Sequence, residues 1–117
     1  MITYQPIAST GSPNYTPINI DETSSLTPVI IHTSHATAID ELWLDAYNTS
    51  NTPELLYLII GNTNNQNTIQ VQIPPQRGIV PVLKGVRVSN GVQVKAYAST
   101  ANKISIIANT INRITVS

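Results

Sequence analysis

Two histidines and three carboxylates stand close together in this chain: His32, His35, Asp40, Glu41 and Asp45. His32-x-x-His35 would bring two imidazoles to one metal ion if the segment coiled, with Asp40 or Glu41 as the third ligand. No zinc or facial-triad spacing is completed, however. His32 falls at the end of an apolar alternation and His35 in a turn. Glu41 and Asp45 share one face of an extended segment, where two carboxyls could stand the roughly 5 to 9.5 Å apart that glycoside hydrolysis needs. Nothing around them implies a cleft, and solvated carboxylates are the commoner outcome. The chain has no Gly-x-Ser-x-Gly elbow, no phosphate-binding loop and no Gly-x-Gly-x-x-Gly. The expectation is therefore no catalytic residue, no metal ligand and no cofactor, and a protein that is not an enzyme.

Any such group must be positioned by a body, and 117 residues are enough for one domain with a modest core. Charged residues make up only 10%, far below the usual quarter. Asn, Thr and Ser fill about 36 positions instead, so solubility rests on amides and hydroxyls. Net charge is zero, and no global field draws the chain to nucleic acid or to a membrane surface. The basic residues do not interleave with aromatics as in a single-strand binder. Lys95 and Tyr97 are merely neighbours on one face. Every acid (Asp21, Glu22, Asp40, Glu41, Asp45, Glu54) precedes every base (Arg77, Lys84, Arg87, Lys95, Lys103, Arg113). Either the two sets pair on the folded surface, or an acidic face of one copy docks a basic face of the next.

No cysteine is present, which excludes disulfides and thiol chemistry and suits a reducing compartment. The first residues lack the basic and apolar regions of a signal peptide. No apolar run approaches the roughly 18 residues of a membrane helix. Asn14-Tyr15-Thr16 and Asn48-Thr49-Ser50 match glycosylation acceptors, as a chain so rich in Asn and Thr will do by chance.

From Thr27 onward the apolar period is two. Leu42, Leu44 and Ala46 take one face and Glu41, Trp43, Asp45 and Tyr47 the other, and similar alternation runs through 69–73, 92–98 and 104–108. Leu55 to Ile60 is apolar on both faces, as in a central covered strand. Strands are expected at 28–33, 39–48, 54–61, 67–73, 78–83, 86–89, 91–99 and 103–108, with 111–116 as a ninth candidate. Turns are expected at 61–66, 74–78, Lys84-Gly85, Asn90-Gly91 and 100–102. Asn90-Gly91 is the strongest short hairpin signal. The fold class expected is all-β: an antiparallel β-sandwich, jelly-roll-like, of about eight strands over residues 27–117.

Residues 1–26 differ in composition, with Pro6, Pro13 and Pro17 among small polar residues. They read as an extended N-terminal arm. Tyr4, Ile7, Tyr15, Ile18 and Ile20 are spaced as anchors for a partner, with Pro6 and Pro13 as further contacts; a disordered leader is the alternative. Trp43 is another contact candidate, on the less buried face of its strand.

The stretches 30–61 and 69–116 resemble small β-sandwich virion proteins of tailed bacteriophages. The likeness lies in His32-Thr33, in Glu41 to Thr49, in the two-sided apolar run Leu55 to Gly61, in Pro75 to Gly78, in Asn90-Gly91 and in Asn112-Arg113-Ile114-Thr115. It spans about three quarters of the chain and leaves the arm outside. The resemblance implies a structural virion protein assembled in the host cytoplasm, most simply a head decoration or cement protein bound between subunits of the major capsid protein. A homo-oligomer, a trimer, is expected with it. A neck or tail component of the same particle is the nearest alternative. A glycan-binding host-adhesion module, using Asn-rich loops and Trp43, is the alternative of another class.

Overall fold

The computed structural model describes residues 1–62, 67–75 and 78–116, the side chain of Asn109 excepted. The expected turns at 61–66 and 74–78 thus fall partly outside the described residues. Nine strands are formed and no α-helix among the described residues: β1 (Ile2–Ile7), β2 (Ile18–Asn19), β3 (Val29–Thr33), β4 (Ile39–Asn48), β5 (Glu54–Ile60), β6 (Thr68–Ile73), β7 (Val80–Val88), β8 (Gln93–Ala98) and β9 (Ile104–Val116).

They form two antiparallel sheets. One has the order β1-β9-β4-β7 with β2 also on β9, and the other β3-β8-β5-β6. The ladders β2–β9, β3–β8, β4–β7 and β5–β6 are successive rungs of one long antiparallel hairpin. Wrapping that hairpin adds the pairs β4–β9 and β5–β8, which complete the two sheets. This is a jelly-roll sandwich.

The alternation read from the sequence is what packs it. Leu42, Leu44 and Ala46 meet Leu56, Leu58, Val94, Ala96 and Ala98 from the facing sheet, with Ile104, Ile106 and Ile111 beside them, all buried. Each fully buried Leu or Ile contributes roughly 1.5–3 kcal/mol. The outer face of β5 is also covered: Ile59 is buried, and Tyr57 stacks on Tyr97 of β8 with ring centroids 4.5 Å apart.

Three local expectations need correction. Residues 78–83 and 86–89 are one strand, β7. Gly85 (φ +77°) is passed over in the ladder, since Leu42 pairs with Val86 and Trp43 with Lys84. The glycine supplies a left-handed bulge residue in place of a turn. Residues 103–108 and 111–116 likewise merge into β9, with Asn109 passed over between Ala108 and Thr110. Asn90-Gly91 does adopt the paired positive φ of a tight turn, 60° and 73°, closed by the Val92 N–H donating to the Ser89 carbonyl. Its flanking strands belong to different sheets, however, so it is a crossing between layers and no hairpin.

Residues 1–26 do not stand apart from the body. β1 pairs with residues 111–116 and β2 with 105–106, both on β9. Ile18 and Ile20 lie in the core. The backbone of Ile20 bonds Ile104 and Asn102, that of Gly11 bonds Ile31, and the Glu22 carbonyl accepts from Ala98. A Cβ on Gly11 would stand 2.6 Å from the carbonyl oxygens of Ile30 and Ile31, so only glycine fits this crossing. The prolines mislead because Pro6 is on an edge strand and Pro17 precedes a two-residue one, positions proline tolerates.

Removal of residues 1–26 is therefore expected to unfold the protein. Ile20→Ala in the full chain should lower the unfolding free energy by about 2–5 kcal/mol, read from urea denaturation followed by circular dichroism. A truncated chain with an unchanged midpoint would contradict this account of the N-terminal segment.

Candidate functional site

The strongest concentration of ionisable side chains lies at one end of the sandwich. Asp40 opens β4 and points inward, in phase with Leu42, and it is fully buried. Arg113 of β9 stands opposite in the ladder. Its Nε donates to Asp40 Oδ1 at 2.9 Å and its Nη2 to Oδ2 at 3.1 Å. From the other sheet, His32 Nε2 donates to Asp40 Oδ2 at 2.8 Å. The backbone N–H of His35 adds a fourth bond to the same carboxylate, at 3.2 Å.

The His32 ring is fully assigned by its partners. Its Nδ1 accepts the Thr10 backbone N–H at 3.2 Å, so the ring hydrogen sits on Nε2 and the imidazole is neutral. Both nitrogens are thus committed, and the dyad with Asp40 has no free nitrogen to activate a hydroxyl. Burial alone would push the Asp40 carboxyl up. The hydrogen bonds from Arg113 and His32 outweigh it and hold the group below the ordinary aspartate range. The arrangement is a clasp that joins β3 of one sheet to β4 and β9 of the other and pins residue 10 on top.

The outer face of β4 carries a second arrangement. Both neighbouring strands bulge at Trp43, on β7 at Gly85 and on β9 at Asn109. The six-membered ring of Trp43 lies against Gly85, where a Cβ would come within 3.1 Å of the ring. The indole N–H donates to Glu41 Oε1 at 2.9 Å, and Arg87 holds Glu41 Oε2 at 3.1 Å. The Trp43 bond, with help from Arg87 and Asn112, keeps the Glu41 carboxyl below its usual range. The result is a rigid aromatic side chain, 40% exposed, on a sheet face.

The candidates from the sequence are dispersed. Glu41 and Asp45 do share the outer face of β4, with Trp43 between them and Glu41 held by Trp43 and Arg87, while Asp40 points inward. His32 is buried with Asp40, while His35 is exposed and its Nδ1 accepts the Thr37 and Ala38 N–H groups. Of the partner-contact residues, Tyr4 and Pro6 are exposed on β1, Ile7 packs on the core, and Pro13 and Tyr15 lie exposed near a turn. Ile18 is a core residue and is not offered to a partner. Asn48 is buried and its amide donates to the Ile73 carbonyl, so the second glycosylation match is closed. Among the described residues Glu41–Arg87 pairs on the surface, as the first reading of the split charge expects, while Asp40–Arg113 pairs with its carboxylate buried. An open hollow of about 270 Å³ lies between the 35–38 turn and Ile39, Ile114 and Val116. Its lining is mostly apolar and includes neither His32 nor Asp40.

The sequence reading missed Arg113 as the partner of Asp40. The signal available was a carboxylate in phase with the buried leucines, which must find a cation.

No family model matches this chain, and neither a curated protein nor a solved structure is significantly similar to it.

Arg113→Met should cost about 3 kcal/mol at neutral pH, because it leaves Asp40 buried beside a neutral histidine. Because the folded carboxyl titrates below the unfolded one, its contribution is complete above about pH 4. It is lost as pH falls through the lowered folded value. Asp40→Asn should flatten that acid limb of the stability profile while lowering stability at neutral pH. An acid limb of unchanged slope in Asp40→Asn would remove Asp40 from this role.

Proposed function

We propose that the protein is a non-enzymatic structural component of a tailed-bacteriophage particle, a head decoration or cement protein that binds between capsid subunits. The observation that carries this reading is where the family-like segments meet. Asn112-Arg113-Ile114-Thr115 lies about seventy residues beyond His32-Thr33 and the start of the Glu41 strand, yet it meets them at the Asp40 clasp. Three of the six segments that carry the resemblance thus meet where the two sheets are locked together. A decoration protein needs such a body, many weak contacts and no chemistry. Jelly rolls serve in viral capsids, and the amide-rich, neutral surface suits dense packing beside copies of itself.

A second reading is supported by Trp43. Jelly rolls also serve as lectins. A ring fixed against Gly85 and flanked by Glu41 and Arg87 offers the stacking surface and polar rim that a sugar ring uses.

Quantitative mass spectrometry of separated heads and tails tests the first reading. The expected result is many copies in the head fraction, in proportion to the capsid protein, and heads lacking the protein should regain heat resistance when it is added back. A ring's worth of copies would move it to the neck, and absence from particles would end the virion reading. A reproducible glycan-array signal abolished by Trp43→Ala, with the fold intact, would favour the second.

A further inference from the structure

A sheet edge with free backbone groups invites another strand, and folded proteins defend such edges with charge, bulges or cover. Two edges here are defended. β7 carries Lys84, Arg87 and Pro81 and two register shifts against β4. β3 has a register shift between Ile30 and His32 and is overlaid by residues 10 and 11. The Gly11 N–H donates to the Ile31 carbonyl, and Thr10 Oγ1 accepts from the Thr33 N–H. On the β6 edge the exposed side chains are two glutamines and Ile69.

β6, like β1, is uncharged and pairs without a shift; β1 is the more exposed of the two, and its exposed side chains are the more apolar. Ile2-Thr3-Tyr4-Gln5-Pro6-Ile7 has no charge, and its six residues pair with β9 without a shift. Residues 2–6 are all exposed, Ile2 at 60% and Tyr4 at 58%. Pro6 is its only defence, at one end. Its side chains also belong to a larger apolar strip. Tyr4, Ile114 and Ile39 stand side by side across three strands, and Ile2 stands beside Val116. Their phase is opposite to that of Asp40 and Leu42, so the strip lies on the outer face. Glu41 and Arg87, the charges next along that face, neutralise each other. Ile114 is buried between its neighbours, and the exposed members are Ile2, Tyr4, Ile39 and Val116; adjoining exposed apolar side chains of this kind mark interaction surfaces.

We infer that the free edge of β1 pairs antiparallel with β1 of a second copy, joining two five-stranded sheets across a twofold axis. The occupant is a second copy because the edge complements itself. It is uncharged, lies on a face without net charge, and is apolar on the side where two copies would meet. A register centred on Thr3 sets Ile2 of each chain against Tyr4 of the other, an aromatic–β-branched pair that stabilises a ladder. It also stops short of Pro6, which has no N–H to give. The contact is smaller than the roughly 800 Å² per partner of a standard interface, so ladder hydrogen bonds are essential and the pairing is weak and reversible. Its symmetry is twofold, in place of the trimer expected from the sequence. The inference rests on this edge alone and goes beyond the virion reading.

The absence of cysteine makes the test direct. At the centre of an antiparallel register two Thr3 Cα atoms stand about 4.5–5.5 Å apart, within disulfide reach. Thr3→Cys is expected to form a covalent dimer under mild oxidation, whereas Gln72→Cys, exposed on β6, should react far more slowly. In analytical ultracentrifugation the unmodified full chain should show a monomer–dimer equilibrium. Tyr4→Lys should raise its dissociation constant about tenfold or more without changing the circular-dichroism spectrum. A chain that stays monomeric at every concentration would overturn the inference. So would Thr3→Cys coupling no faster than Gln72→Cys, or a higher oligomer indifferent to Tyr4→Lys.

Discussion

The inward face of β4 sets the architecture, because it is polar at both ends and apolar between: Asp40, Leu42, Leu44, Ala46, Asn48, all buried. Two sheets that met only through aliphatic side chains could slide, since the hydrophobic effect has no direction. The polar ends remove that freedom. Asp40 reaches His32 in the facing sheet. Asn48 donates to the Ile73 carbonyl on β6, in the same facing sheet, and to the Thr52 carbonyl. Each end binds several groups at once, so a shift of either sheet would strand a buried carboxylate or amide at a cost of several kcal/mol. The leucines supply most of the attraction, and Asp40 and Asn48 fix where it acts.

This division explains what could be read in the sequence. Strand alternation is a local property, so β3, β4, β5, β6 and β8 were legible within a residue or two. The sandwich followed from their number and spacing. The long-range partners were not legible, because nothing near Asp40 in the chain announces Arg113, seventy-three positions away. Glycine signals were ambiguous for a related reason. A positive φ serves a turn and a bulge equally well, and the choice at Gly85 is made by the ladder with β4. Asn90-Gly91 gave the right local geometry, but which sheet receives the chain afterwards depends on the wrap of the whole roll.

The N-terminal segment shows composition misleading in a specific way. Prolines and small polar residues suggest a chain that cannot bury enough apolar surface to order itself. Ile18 and Ile20 supply it nonetheless, since two side chains on alternate positions suffice when β9 is already in place to receive them. The same strand binds β1 higher up, where little is buried. One continuous β9 therefore holds a core-forming piece and a surface piece of the same segment. Interior stability and an exposed edge come from a single thirteen-residue strand.

The surface chemistry and the fold point the same way. A chain with 10% charged residues and no net charge forgoes the self-repulsion that keeps most proteins apart in solution. Amides and hydroxyls keep it hydrated, and they form hydrogen bonds with a neighbour as readily as with water. Of its acids, Asp40 and Glu41 are bound to arginines of the same chain, so the split of charge along the sequence leaves no strongly acidic or basic face built from them. A free catalyst or a nucleic-acid binder gains from a directed field. A protein whose work is to lie against like molecules gains from having none, because every unpaired charge would have to be desolvated at each contact. The neutral surface is thus consistent in physical terms with the proposed place among like neighbours.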